Sequence, residues 1–144
     1  MDHSDANSAN LLDERSRAQG RWVLDKEKSD FRGEPMPRQR VIHITCSSES
    51  RFAWVMQGIS AEGQAIESAW SGPVDGTPCE VQGRPGWKMA FHWQGEMLLT
   101  EATTPVSTRR EETQFSGDGK TMTIRGVETR ESGERRWMEV YERK

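Results

Sequence analysis

Two carboxylic acids and an arginine in the C-terminal half offer this chain's most direct route to chemistry. Arg109, Glu111 and Glu128 are of the types that stabilise developing charge or exchange protons. Strand alternation puts Arg109 and Glu111 in phase with Phe115, and a hairpin sets Gly126 and Glu128 across from them. Buried charge is costly unless paired. These groups therefore mark an open mouth, a polar site, or a rim where a β-bulge returns them to solvent. His92, between Phe91 and Trp93, is the histidine to set beside them as an acid–base candidate. His43 lies among Val41, Ile42 and Ile44, and His3 sits near the N-terminus.

Other chemistries lack their residues. His43-x-x-Cys46 spans opposite faces of a strand, so it does not converge on one metal, and no metal is expected. No G-x-S-x-G nucleophile elbow and no G-x-x-x-x-G-K-[ST] phosphate loop occurs. Gly117-Asp118-Gly119-Lys120-Thr121 reads as a turn between strands. No cofactor is implied.

The elements that position these residues read as strands. Val41–Ile44, Phe52–Met56, Met89–Trp93 and Met122–Ile124 are rich in β-branched and aromatic residues, with Gly-containing turns between them. The turns are Glu62-Gly63, Asp75-Gly76, Gln94-Gly95, Asp118-Gly119 and Ser132-Gly133. No segment sustains a helical period. The expected fold is all-β: an antiparallel up-and-down barrel of roughly eight to ten strands, with a β-sandwich as the alternative.

Hairpin register says which side chains share a face. A turn at Asp118-Gly119 sets Phe115 opposite Met122 and Thr113 opposite Ile124, with Gln114–Thr123 and Glu112–Arg125 facing solvent. At Glu62-Gly63 two registers compete. A three-residue loop with Gly63 left-handed pairs Trp54 with Trp70; a two-residue loop pairs Val55 with Trp70. A two-residue turn at Ser132-Gly133 places Trp137 beside Glu128 and Tyr141 beside Ile124. Val127, Met138 and Val140 then share the outward face, a candidate homodimer contact unless the register is off by one.

Composition bounds the partners. At 144 residues the chain makes one domain. A net charge of -3 and pI near 5.7 argue against nucleic acid, which needs a basic patch. No apolar run has the length of a membrane span. The mean hydropathy of -0.88 owes something to residues 1–19, which hold no aromatic residue and read as a flexible tail with a helical turn near Leu11–Arg17. The barrel domain is expected over 20–144. The N-terminus lacks the apolar block of a secretory signal, so a cytoplasmic location is expected, where Cys46 and Cys79 remain free thiols.

Gly20-x-Trp22 resembles the opening motif of lipocalins and related calycin barrels. The resemblance implies that Trp22 closes one end and that Arg143, near the end of the last strand, packs over it. A closer resemblance, over Gly20 to Lys144, is to small bacterial lipocalin-like proteins of unassigned function. It rests on Gly20, Trp22, Leu24, Asp25, Lys28, Ser29 and Phe31, then Asp118–Thr123, then Val140-Tyr141-Glu142-Arg143.

The aromatic residues Trp54, Trp70, Phe91, Trp93, Trp137 and Tyr141, with Met56 and Met122, either line a cavity or fill the barrel. The first case makes the chain a binder of a small hydrophobic or amphipathic molecule. The alternative is a cofactor-independent cyclase or isomerase, with Arg109, Glu111, Glu128 and His92 acting on an apolar substrate.

Overall fold

The computed structural model describes Arg15 and residues 17–144, so most of the expected tail, with its helical turn, lies outside the described residues. Residues 17–144 contain ten strands and no helix. They are β1 (Gly20–Leu24), β2 (Gln39–Ser47), β3 (Arg51–Ile59), β4 (Ala65–Pro73) and β5 (Cys79–Glu80). The second half adds β6 (Lys88–Gln94), β7 (Met97–Thr103), β8 (Thr108–Phe115), β9 (Thr121–Arg130) and β10 (Gly133–Arg143).

All ten belong to one antiparallel sheet, in which β1 lies between β2 and β10 and the edges are β4 and β5. Beyond β5 the edges meet. Ala69 and Gln82 exchange both backbone hydrogen bonds, at 3.0 and 2.8 Å, and close the sheet into a barrel. A single sheet curled onto itself excludes the sandwich.

The turn chemistry decides most registers. Phe115 faces Met122 and Thr113 faces Ile124, as the Asp118-Gly119 turn predicts. Trp54 faces Trp70 and Gly63 has φ 90°, which selects the three-residue loop. The last hairpin is a correction. Gly133 pairs with Arg130, so the turn residues are Glu131 and Ser132, and Trp137 lies opposite Gly126 instead of Glu128. A shift of two residues keeps the same faces inward, because the side-chain period is two.

Trp22 is fully buried beneath the Arg143 guanidinium, 4.3 Å from its ring centre. Its Nε1 donates to the Ala18 carbonyl at 2.9 Å. Arg143 in turn donates to the Gly119 and Gln19 carbonyls, at 2.8 and 2.6 Å. Gly20 adopts φ 144°, and a Cβ there would collide with Arg143, which explains the glycine two places before the tryptophan. Ala18, inside the segment expected as tail, is part of the core.

The segment after β1 straps the outside of β10. Asp25 Oδ1 caps the turn by accepting from the Glu27 and Lys28 amides at 3.1 and 3.2 Å. Ser29 Oγ accepts from the Val140 amide at 2.9 Å, and Asp30 exchanges two backbone bonds with Met138. Val140 is consequently 6 % exposed. Its apolar character, read above as a dimer contact, is accounted for by burial within the same chain. Cys46 and Cys79 are half-buried free thiols.

Candidate functional site

Alternation along β10 sends Arg135, Trp137, Glu139, Tyr141 and Arg143 to the interior, from the far end of the barrel down to the Trp22 floor. Glu139 is the centre of this row. Its carboxylate accepts from Arg40 Nη1 at 2.9 Å, Tyr141 Oη at 2.5 Å and Trp137 Nε1 at 2.8 Å. Burial alone would raise its pKa, but the Arg40 charge and the Tyr141 and Trp137 hydrogen bonds outweigh that, and it is lowered. The Tyr141 hydroxyl is pushed well above its ordinary value, by burial first and by the Glu139 charge next.

Above Glu139, cations and rings alternate. The Arg109 guanidinium lies 5.1 Å from the Trp87 ring centre and 4.4 Å from that of Trp137. Arg84 stacks on Trp87 at 4.7 Å, and Arg135 on Trp137 at 4.7 Å. Trp137 fits because it lies against Gly126, where a Cβ would overlap its ring. Glu128, 3 % exposed, anchors the upper end. It pairs with Arg130 at 3.1 Å and Arg135 at 3.4 Å, and accepts from Ser107 Oγ at 3.0 Å. Burial opposes its ionisation, but Ser107 and the surrounding arginines prevail and lower its pKa.

Between this stack and the floor lies a cavity of about 110 Å³. Ile42, Trp54, Met56, Phe91, Leu98 and Met122 give it apolar walls; Arg40, Arg84, Arg109, Glu111, Glu139 and Tyr141 supply its polar groups. Sites for drug-sized ligands run to roughly 300–1,000 Å³, and a void of about 150 Å³ holds benzene. Most of the interior is therefore filled, and the remaining space suits a small molecule. Glu111 sits in the wall with Oε2 4.0 Å from Arg109 Nε, a nitrogen buried without a hydrogen-bond partner. Burial raises the Glu111 pKa, against the pull of Arg109.

Of the candidate catalytic residues, the structure brings Arg109 and Glu111 to the cavity and leaves two outside it. Glu128 is held in the ion-pair cluster above, beyond the cavity wall. His92 is exposed on the outer face, since alternation sends Phe91 inward and its neighbour out. Arg109 does face Glu128, and Glu111 faces Gly126, so no bulge flips β8 or β9 and these charges stay inside.

Among the candidate ligand-binding residues, Trp54, Met56, Phe91, Met122 and Tyr141 line the cavity. Trp70, Trp93 and Trp137 do not. Trp70 packs on Phe91 at 4.4 Å and donates to the Cys79 carbonyl at 3.1 Å. Trp93 meets Phe52 edge-on and donates to the Ser48 carbonyl at 3.0 Å. Trp137 is occupied by the arginine stack.

Arg40, Arg84, Trp87 and Glu139 belong to the site and were not singled out from sequence. Alternation carried back from Ile42 and Ile44 finds Arg40, and alternation between Trp137 and Tyr141 finds Glu139. Arg84 and Trp87 lie in the β5–β6 loop, where no period applies. Among the described residues no group of three His, Cys, Asp or Glu is arranged to hold a metal ion.

The described residues form a closed, ten-stranded antiparallel up-and-down barrel. Its solved neighbours include the fluorescent protein UnaG, with TM-score 0.61, 10 % identity, and coverage of 88 % of this chain and 96 % of that one. A zebrafish ileal bile acid-binding protein complexed with cholic acid matches at TM-score 0.59 and 14 % identity, over 90 % of this chain and 100 % of that one. At these identities the likeness is one of fold. No protein-family model and no curated protein matches the chain.

Proposed function

We propose that this chain binds a small hydrophobic or amphipathic molecule inside the barrel. The observation that carries the reading is the cavity of about 110 Å³ between the Trp22 floor and the arginine–tryptophan stack, walled by Trp54, Met56, Phe91 and Met122. The bile acid-binding neighbour, a barrel of the same fold, is complexed with cholic acid, which supports the binding of a small molecule here. The smaller cavity of this chain calls for a smaller guest. The enzymatic alternative retains Arg109 and Glu111 in the wall but has neither His92 nor Glu128 there, so binding is the better supported reading.

Ligand-observed NMR with benzyl alcohol, toluene and indole tests this. Saturation transfer to the folded protein is expected for at least one probe, and its loss when Met56→Trp fills the cavity. Absence of transfer from all three, with the protein folded by circular dichroism, would overturn the reading.

A further inference from the structure

The cavity wall carries an imbalance of charge. It has three guanidinium groups, Arg40, Arg84 and Arg109, and two carboxyl groups, Glu111 and Glu139. Glu139 is saturated by Arg40, Tyr141 and Trp137. Arg109 has Glu111 at 4.0 Å and Glu128 at 3.9 Å. Arg84 alone of the three forms no side-chain ion pair or hydrogen bond among the described residues.

We infer that the cavity takes a small organic carboxylate, one ring or a short chain in size, whose acid group is met by Arg84 with Arg109 beside it. The inference rests on the binding reading above and names the class of ligand.

The loop geometry favours this role for Arg84. The Arg84 amide donates to the Val81 carbonyl and the Trp87 amide to the Arg84 carbonyl, at 3.4 and 3.1 Å, so the chain turns back on itself. That turn holds the guanidinium on the Trp87 ring, which restrains its position while leaving its N–H edges free. Arg84 also has a lowered pKa: burial first, then the repulsion of Arg40 and Arg109, which exceeds the attraction of Glu111 and Glu139. An anion beside it relieves that repulsion, whereas an amine adds to it.

The rest of the wall limits the remainder of the ligand. Phe91, Leu98 and Met122 offer apolar contact, which inorganic phosphate cannot use. The volume excludes long-chain acids and polycyclic acids unless the walls move.

The experiment compares matched probes of equal size by calorimetry at neutral pH: benzoate against benzyl alcohol, and hexanoate against hexanol. In at least one pair the acid is expected to bind roughly tenfold tighter, the increment of one charge-assisted hydrogen-bonded pair. Arg84→Gln should erase that preference without weakening the alcohol, and Arg84→Lys should keep part of it. Equal binding of acid and alcohol, or tighter binding of alcohol, overturns the inference and leaves the binding reading standing. A preference unchanged in Arg84→Gln removes Arg84 from the role. Failure of all four probes on folded protein overturns both.

Discussion

Arg40 on β2 and Glu139 on β10 stand 99 positions apart in the chain and pair at 2.9 Å inside the barrel. One strand, β1, separates them in the sheet, so the pair is made over β1 between side chains of the inner face and not between hydrogen-bonded neighbours. The same carboxylate takes the Tyr141 and Trp137 donors, so a single charge organises three buried groups.

Removing one partner strands the others. Arg40→Ala is expected to cost about 3–5 kcal/mol in urea unfolding, the usual penalty for leaving a buried charge unpaired. The folded pKa of Glu139 is lowered, so its contribution is present above the ordinary carboxyl value of 4.5 and is lost as pH falls through the folded pKa. Stability measured from pH 7 downward should fall in acid, and less steeply in Glu139→Gln.

Glu111 has the opposite sign. Its folded pKa is raised, so its effect on stability is most favourable below 4.5 and is lost as pH rises through the folded pKa. Glu111→Gln should therefore stabilise the protein at neutral pH and have little effect in acid. Thermal unfolding at both pH values checks this, and a variant destabilised at neutral pH would contradict it.

Gly126 leaves room for the Trp137 ring, so Gly126→Ala should displace it and cost about 1–3 kcal/mol by overpacking. Because Trp137 is stacked against Arg109 and Arg135, its displacement should also change near-ultraviolet circular dichroism.

At the floor, Trp22→Ala should be the costlier change, about 3–5 kcal/mol. Arg143→Ala should lose about 0.5–2 kcal/mol from the cation–π contact, besides its hydrogen bonds to the Gly119 and Gln19 carbonyls. Chemical denaturation of the two variants gives the order. A reversal would mean that the arginine, not the ring, holds the floor.

Much of the site was legible in the sequence because a strand has a side-chain period of two. That period put Met122 and Tyr141 on the inner face and Arg109 and Glu111 in phase with it, leaving open only the bulge that the structure does not have, and the turn at Asp118-Gly119 set the β8–β9 register. The register at Ser132-Gly133 was off by two residues because the turn uses Glu131 and Ser132 at negative φ, and Gly133 takes its positive φ of 135° just after the turn instead of within it. The faces survived that error, since any even shift preserves them. His92, an acid–base candidate by residue type, points away from the site by the same rule, since Phe91 next to it lies in the core.

What the sequence determined by itself is local: strands, turns, and the inner and outer faces; the Trp22 floor under Arg143 came from the resemblance of Gly20-x-Trp22 to a known motif. Tertiary structure alone decided which inner residues meet. Closure at Ala69–Gln82 made the sheet a barrel, and a barrel brings together groups that no pairwise register connects. Arg40 finds Glu139 only over the intervening strand β1, which no single hairpin register connects, and Arg84 and Trp87 enter from a loop that has no period to read. The cavity volume depends likewise on how all these side chains pack, a property of the assembled interior and of no single segment.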